Sequence, residues 1–104
     1  MKLTKDQRHT AYILMLAESE VVLKNLRMGK DTPYYKGGFI RGICETICHI
    51  ADLDSELLNT IDFLGLYELR NKQPHNTNCY WFPSDVDGWQ KRINLLKQCI
   101  NETA

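Results

Sequence analysis

Long apolar runs, an excess of charge of one sign and proline are all scarce in this 104-residue chain. No stretch approaches the roughly 18 consecutive apolar residues of a membrane-spanning helix, and the opening Met1-Lys2-Leu3-Thr4-Lys5-Asp6-Gln7-Arg8 has no apolar core of the kind a signal peptide carries. The expectation is a cytoplasmic protein that does not enter membranes. Thirteen Lys+Arg against 13 Asp+Glu give a formal net charge of zero, so the basic excess that displaces counterions from nucleic-acid phosphates is missing and nucleic acid is not an expected partner. Strictly alternating apolar and polar positions, internal repeats and low-complexity tracts are also missing, which argues against an all-β or solenoid architecture. Four cysteines (Cys44, Cys48, Cys79 and Cys99) would suit two disulfides in an exported mini-protein. Without an export signal they read as reduced thiols, core fillers or metal ligands.

What is present is helical periodicity. With 43% hydrophobic residues the chain can build one compact domain, residues 1–104. Thr4-Lys5-Asp6-Gln7 has the form of a capping box, and Ala11, Tyr12, Leu14, Met15, Leu16, Val22, Leu23 and Leu26 continue a broad apolar stripe, predicting a first helix over about 5–27. Glycines and Pro33 between Gly29 and Gly38 break it into a loop. From Phe39, the apolar positions Phe39, Ile43, Ile47 and Ile50 predict a second helix, with Arg41 and Glu45 as a charge pair one turn apart on its edge. Asp52 or Asp54 can cap a third helix whose buried face would be Leu57, Leu58, Ile61, Leu64 and Leu66, ending near Leu69, although Gly65 interrupts it. Residues 71–79 are rich in turn formers. Ser84-Asp85-Val86-Asp87 then opens a final helix with Trp89, Ile93, Leu96 and Ile100 as its apolar face, while Lys91, Arg92 and Lys97 point in more polar directions. The expected fold is an all-α, compact four-helix domain with two long loops; the alternative keeps a minor two-stranded element near 79–82.

Two constellations stand out as candidate ligand sites. Tyr34-Tyr35-Lys36-Gly37-Gly38 leads into the second helix with Arg41 one turn inside. Glycines allow backbone N–H groups to approach an anion closely, a helix N-terminus leaves such groups unpaired, Lys36 and Arg41 add positive charge, and Tyr34 and Tyr35 can stack on a base. The same residues also make an ordinary connector, since they form neither a Walker loop nor a dinucleotide fingerprint. The second constellation is Tyr80-Trp81-Phe82-Pro83, followed by Trp89 and Arg92. Three successive aromatics on an extended backbone cannot all point into one core, so at least one contacts a loop, a partner or a ligand, unless the segment folds back as a lid. Arg92 can clamp a phosphate or carboxylate, though an exposed helical charge is the commoner fate of an arginine.

Metal and catalytic readings are weaker. Cys44 and Cys48 share a helical side, and His49, Asp52, His75 or Cys79 could complete a tetrahedral zinc site, but no short-spaced cysteine knuckle is present and Cys44 borders an apolar face. The expectation is no metal and no cofactor. His9, His49 and His75 fall in no motif with mechanical meaning, and Asp85 and Asp87 are acids suited to a helix N-terminus. Glu18, Glu20, Glu56 and Glu68 look solvated, and a Cys79–His75 thiol pair has no evident oxyanion hole or orienting acid. The chain therefore reads as a non-enzyme.

At Gly38-Phe39-Ile40-Arg41-Gly42-Ile43-Cys44, and again at Tyr80-Trp81-Phe82-Pro83 with Arg92-Ile93-Asn94-Leu95-Leu96, the chain resembles small uncharacterised proteins encoded by tailed bacteriophages. The shared pattern is a glycine-aliphatic-cysteine helix, a Tyr-Trp-(Phe/Trp)-Pro loop and a final helix with an arginine before paired aliphatics. It covers roughly the C-terminal two-thirds and leaves the first helix out. The resemblance implies a phage accessory protein acting in the host cytoplasm against host defences, and it carries no catalytic residue with it. The expected function is sequestration of a nucleotide immune signal of the cyclic oligonucleotide type. Lys36, Gly37, Gly38, Arg41 and Arg92 would hold phosphate, and Tyr34, Tyr35, Tyr80 and Trp81 would stack on bases, within a homo-oligomer whose subunits share the pocket. The alternative is a protein–protein inhibitor that anchors the aromatic loop on a host defence nuclease or effector, with Trp81 and Arg92 as its hot spots.

Overall fold

The computed structural model describes residues 2–28, 39–62, 65–66 and 86–104, with the backbone alone for 39–41. Four helices account for nearly all of them: α1 (Lys5–Met28), α2 (Phe39–Ala51), α3 (Ser55–Asp62) and α4 (Val86–Thr103). The fold is all-α, and among the described residues there is no strand. The two-stranded alternative at 79–82 lies outside the described residues, as do most of the two expected loops.

The first helix begins where its capping box says it should. Thr4 N–H donates to Gln7 Oε1 at 2.9 Å and Gln7 N–H donates back to Thr4 Oγ1 at 3.1 Å, satisfying donors that the helix itself cannot pair. Asp6 sits in the first turn and Arg27 in the last, each favoured by the sign of the helix dipole there. Two buried polar side chains on α1 turn back onto their own helix. Ser19 Oγ donates to the Met15 carbonyl at 2.7 Å and Asn25 Nδ2 to that of Val21 at 2.8 Å, so neither leaves an unmet donor in the core.

Of the two acids offered as cap for α3, Asp54 is the one used. Its Oδ1 accepts the Glu56 N–H at 2.8 Å, and its Oδ2 reaches across the fold to accept the Leu3 N–H at 2.7 Å. These two backbone donors hold the Asp54 carboxyl below the usual carboxylate range. Arg8 reinforces the same junction, donating from Nη1 to the Leu3 carbonyl at 2.6 Å with its Nε 3.0 Å from Glu56 Oε2. α3 is shorter than the sequence suggests. The Gly65 N–H donates to the Asp62 carbonyl at 2.8 Å with Gly65 at φ 77°, a left-handed conformation in which a side chain would be strained, so the helix is broken at Gly65; Leu64 and residues 67–69 of the expected span lie outside the described residues.

The core is one cluster fed by all four helices. Met15 and Val22 from α1, Ile47 and Cys48 from α2, Leu57 and Ile61 from α3, and Trp89 and Leu96 from α4 have no exposed surface. α1 and α4 run antiparallel over most of their length: His9 Nδ1 lies 2.9 Å from Thr103 Oγ1 at one end, and Arg27 reaches Gln90 at the other. Because the Thr103 hydroxyl donates to the Cys99 and Ile100 carbonyls, at 2.7 and 3.2 Å, His9 is the donor in its contact and carries its proton on Nδ1. α2 returns along α1, with Ile50 beside Leu14 and Leu3. One expected core residue is displaced: Leu14 is 51% exposed, because the side of α1 it occupies is left uncovered between α2 and solvent.

Two outcomes follow. Ile47→Ala, which opens a cavity in the fully buried centre, is expected to lower unfolding stability in urea by about 2–5 kcal/mol. Asp54 is more acidic when folded than when unfolded, so its contribution is complete above the ordinary carboxylate pKa near 4 and is lost as pH falls through its lower folded value. Melting temperature measured from pH 7 to pH 2 should drop below pH 4 more steeply in the wild type than in Asp54→Asn.

Candidate functional site

The helix directions bring three chain positions to one end of the bundle: Met28 at the close of α1, Phe39 at the start of α2 and Val86 at the start of α4. Segment 29–38 leaves and re-enters there, and segment 67–85 re-enters there. The described residues that flank segment 29–38, and the one that follows segment 67–85, therefore share a pole. Tyr34, Tyr35, Lys36, Gly37, Gly38, Tyr80 and Trp81 themselves lie outside the described residues. Arg41 falls in the first turn of α2, and its side chain is likewise outside them.

Near this pole, α1 and α4 enclose a groove of about 320 Å³ whose floor is Leu23 and Ile93. Its walls carry Lys24 and Arg27 from α1 and Gln90 and Lys97 from α4, with Glu20 as the one acid. Three cations against one carboxylate make a local positive excess on a chain whose charges balance overall. Helix spacing creates this grouping: Gln90, Ile93 and Lys97 fall at i, i+3 and i+7, as do Glu20, Leu23 and Arg27. Gln90 is held from both sides, its Oε1 3.5 Å from Arg27 Nη2 and its Nε2 donating to Asn94 Oδ1 at 3.1 Å. The groove is at the small end of ligand-sized clefts and offers cationic and amide donors to an anion. None of its three cations was singled out from the sequence, where Lys97 read only as a polar-facing position. The i, i+3, i+7 charge pattern was visible, but that it faces the same pattern on another helix was not.

Arg92 is the correction. The sequence places it in a polar direction, as a clamp or an exposed charge, whereas the structure gives it 1% exposure in the helix interface. Its guanidinium lies over the Trp89 ring, 4.2 Å from the centroid, a cation–π contact strengthened by the exclusion of water. Burial pulls the guanidinium down to about 10, opposed by the neighbouring Cys44 and Cys48, so it remains a cation at neutral pH. Burial likewise pushes the Cys44 thiol far up despite Arg92 beside it. Cys44 is thus a neutral packing group rather than a thiolate ligand or nucleophile. Arg92 thus belongs to the interior, packed on Trp89 with Cys44 and Cys48 beside it.

The residues weighed and set aside as a zinc site are described only in part. Cys44 and Cys48 face the interior, while the His49 side chain is 66% exposed and its Nε2 lies 3.8 Å from Glu45. Glu45, expected to pair with Arg41, therefore has His49 as its described neighbour. Among the described residues no group of three or more His, Cys, Asp or Glu gathers as metal ligands would; His75 and Cys79 lie outside them. No described helix is long and apolar enough to cross a membrane. Comparison with known proteins places the chain in no family: no family model, no curated protein and no solved structure matches it.

The Arg92–Trp89 stack generates a test of its own. Arg92→Ala removes the buried stem and the cation over the ring and is expected to lower unfolding stability by about 2–5 kcal/mol. Arg92→Met, which keeps most of the stem's volume, is expected to recover part of that loss in the same urea titration.

Proposed function

We propose that this protein is a non-enzymatic binding protein that sequesters a phosphorylated nucleotide, of the cyclic oligonucleotide class, and that it serves a bacteriophage by removing an immune signal from the host cytoplasm. The observation that carries the reading is the positive groove between α1 and α4, where Lys24, Arg27 and Lys97 outnumber Glu20 on a neutral chain. An anion gains most where cations are held close together on a scaffold that is already rigid, because little side-chain ordering is then left to oppose binding. Gln90, tethered to Arg27 and Asn94, adds an oriented amide to the same wall.

The location supports the reading as well. The groove lies by the pole where segments 29–38 and 67–85 join the described helices, and these carry the glycine-lysine and aromatic residues that the chemistry of a nucleotide would use. Phosphate would be held by Arg27 and Lys97, with Lys24 at the rim, and by Lys36 and Arg41 from the neighbouring segment. Tyr34, Tyr35, Tyr80 and Trp81 would supply stacking faces. A groove of about 320 Å³ accommodates part of a dinucleotide, so the remainder of the ligand would extend toward those segments. The phage setting and the anti-defence role rest on the resemblance alone.

Native mass spectrometry with a panel of cyclic di- and trinucleotides, joined to thermal melting, tests this. A cognate ligand at a hundredfold excess over its Kd should add about 2.7 kcal/mol of stability. Arg27→Glu and Lys97→Glu should each weaken binding at least tenfold while leaving the apo melting temperature nearly unchanged, because both side chains are on the surface. If no nucleotide in the panel is retained or raises the melting temperature, the sequestration reading fails.

A further inference from the structure

We propose that two copies of this chain associate through the outer face of α1, packed antiparallel about a two-fold axis between Leu14 and Ala17. The proposal is independent of the nucleotide reading. It begins from an anomaly in α1: the helix buries Met15, Val22 and Leu23, yet Leu14, Val21 and Met28 stand 51, 39 and 55% exposed on the opposite flank. These three are seven residues apart, so they form a single line along the helix, and exposed Ala17 lies on that line between Leu14 and Val21. Ile13, 44% exposed, widens it. Scattered exposed aliphatics are ordinary, but Leu14, Ala17, Val21 and Met28 follow one another along one side of the helix, with Lys24 beside the line between Val21 and Met28, and such a grouping is the mark of a surface that packs.

The stripe runs into a second apolar feature. At the N-terminal end of α1, Leu3, Leu14, Ile50 and Leu53 line an open groove of about 420 Å³, with Asp6 on its rim and Leu53 45% exposed. Antiparallel packing in the usual heptad register sets Leu14 against Ala17 of the second copy, Thr10 against its Val21, and the Leu3 groove against its Met28. The same register is met twice by symmetry, so each copy's groove receives the other's Met28. An unbranched, polarizable side chain is well suited to filling an irregular apolar hollow. Ala17 at the crossing lets the two backbones approach.

Charge selects a second copy as the occupant and fixes its direction. Asp6 and Lys24 are 18 residues apart, five turns of helix, and so lie on the same edge of the stripe. Antiparallel packing about this axis places Asp6 of each copy beside Lys24 of the other, whereas parallel packing would set Lys24 against Lys24 and Glu20 against Glu20. The surface is complementary to itself in one orientation only. The contact is a single helix face about 36 Å long, so a concentration-dependent dimer is expected.

Sedimentation equilibrium of the full chain, under reducing conditions and without nucleotide, should show a monomer–dimer equilibrium in the micromolar range. Val21→Glu and Met28→Glu should each shift it to monomer by tenfold or more in Kd while the melting temperature of the dilute protein stays within a few degrees of wild type. Asp6→Lys or Lys24→Asp alone should weaken association several-fold, and the double swap should restore it. A wild-type monomer at concentrations up to about 1 mM overturns the proposal, as does a dimer indifferent to Val21→Glu and Met28→Glu. A double swap no tighter than either single change overturns the antiparallel arrangement.

Discussion

The packing of α1 against α4 is the contact on which the remainder depends, because it is the most extensive in the fold and α1 also meets both other described helices. Its 24 residues meet α4 antiparallel, receive α2 alongside and support α3 near its N-terminal half, where Tyr12 hydrogen bonds with Thr60. A helix with three neighbours must be apolar around more of its circumference than one facing a single core. The apolar residues of α1 are accordingly spread widely. Once α2, α3 and α4 are in place, one flank of that spread still has nothing against it.

The same geometry explains why the two ends of the bundle differ. At the N-terminal end of α1, polar groups lock the chain: the Thr4–Gln7 box, the Asp54 carboxylate shared between Leu3 and Glu56, and Arg8 between Leu3 and Glu56. Each satisfies backbone donors or acceptors that the helices themselves leave unpaired. At the other end the reinforcement is internal. Trp89 and Arg92 are stacked within the first turns of α4, where the buried guanidinium lies against an aromatic face with Cys44 and Cys48 beside it.

Much of the fold is legible in the sequence because helix ends are written locally. The capping box starts α1 at Lys5, the apolar repeat from Phe39 gives α2 its span to Ala51, and Asp54 is one of two acids named for the α3 cap. Where the reading departs from the structure, the missing information is tertiary. Leu14 and Arg92 were assigned sides from periodicity on an isolated helix, and a helix with several neighbours has no single polar face; which arc stays open is set by where α2 and α4 sit. Gly65 was seen as an interruption, but only its left-handed φ decides that it ends α3. The groove was illegible for the same reason, being the sum of two unremarkable i, i+3, i+7 charge patterns that meet only when α1 and α4 pack antiparallel.

A net charge of zero leaves room for local patches, because along α1 charges of the two signs are partly separated rather than mixed. On α1 the acids Asp6, Glu18 and Glu20 precede Lys24 and Arg27, an order the helix dipole favours, with Lys5 and Arg8 as the early exceptions and Arg8 engaged with Glu56. Antiparallel packing then places Lys97 of α4 beside the basic end of α1, so the separation within one helix becomes a positive groove between two. The same order along α1 makes its exposed flank self-complementary in reverse, acid end to basic end. Lys24 stands at the border of both surfaces, whereas Arg27 and Lys97 line the groove on the side away from the Leu14–Met28 stripe. A second copy seated on that stripe would leave Arg27 and Lys97 open to a ligand, which is the arrangement a neutral, two-faced helix permits and an evenly mixed one would not.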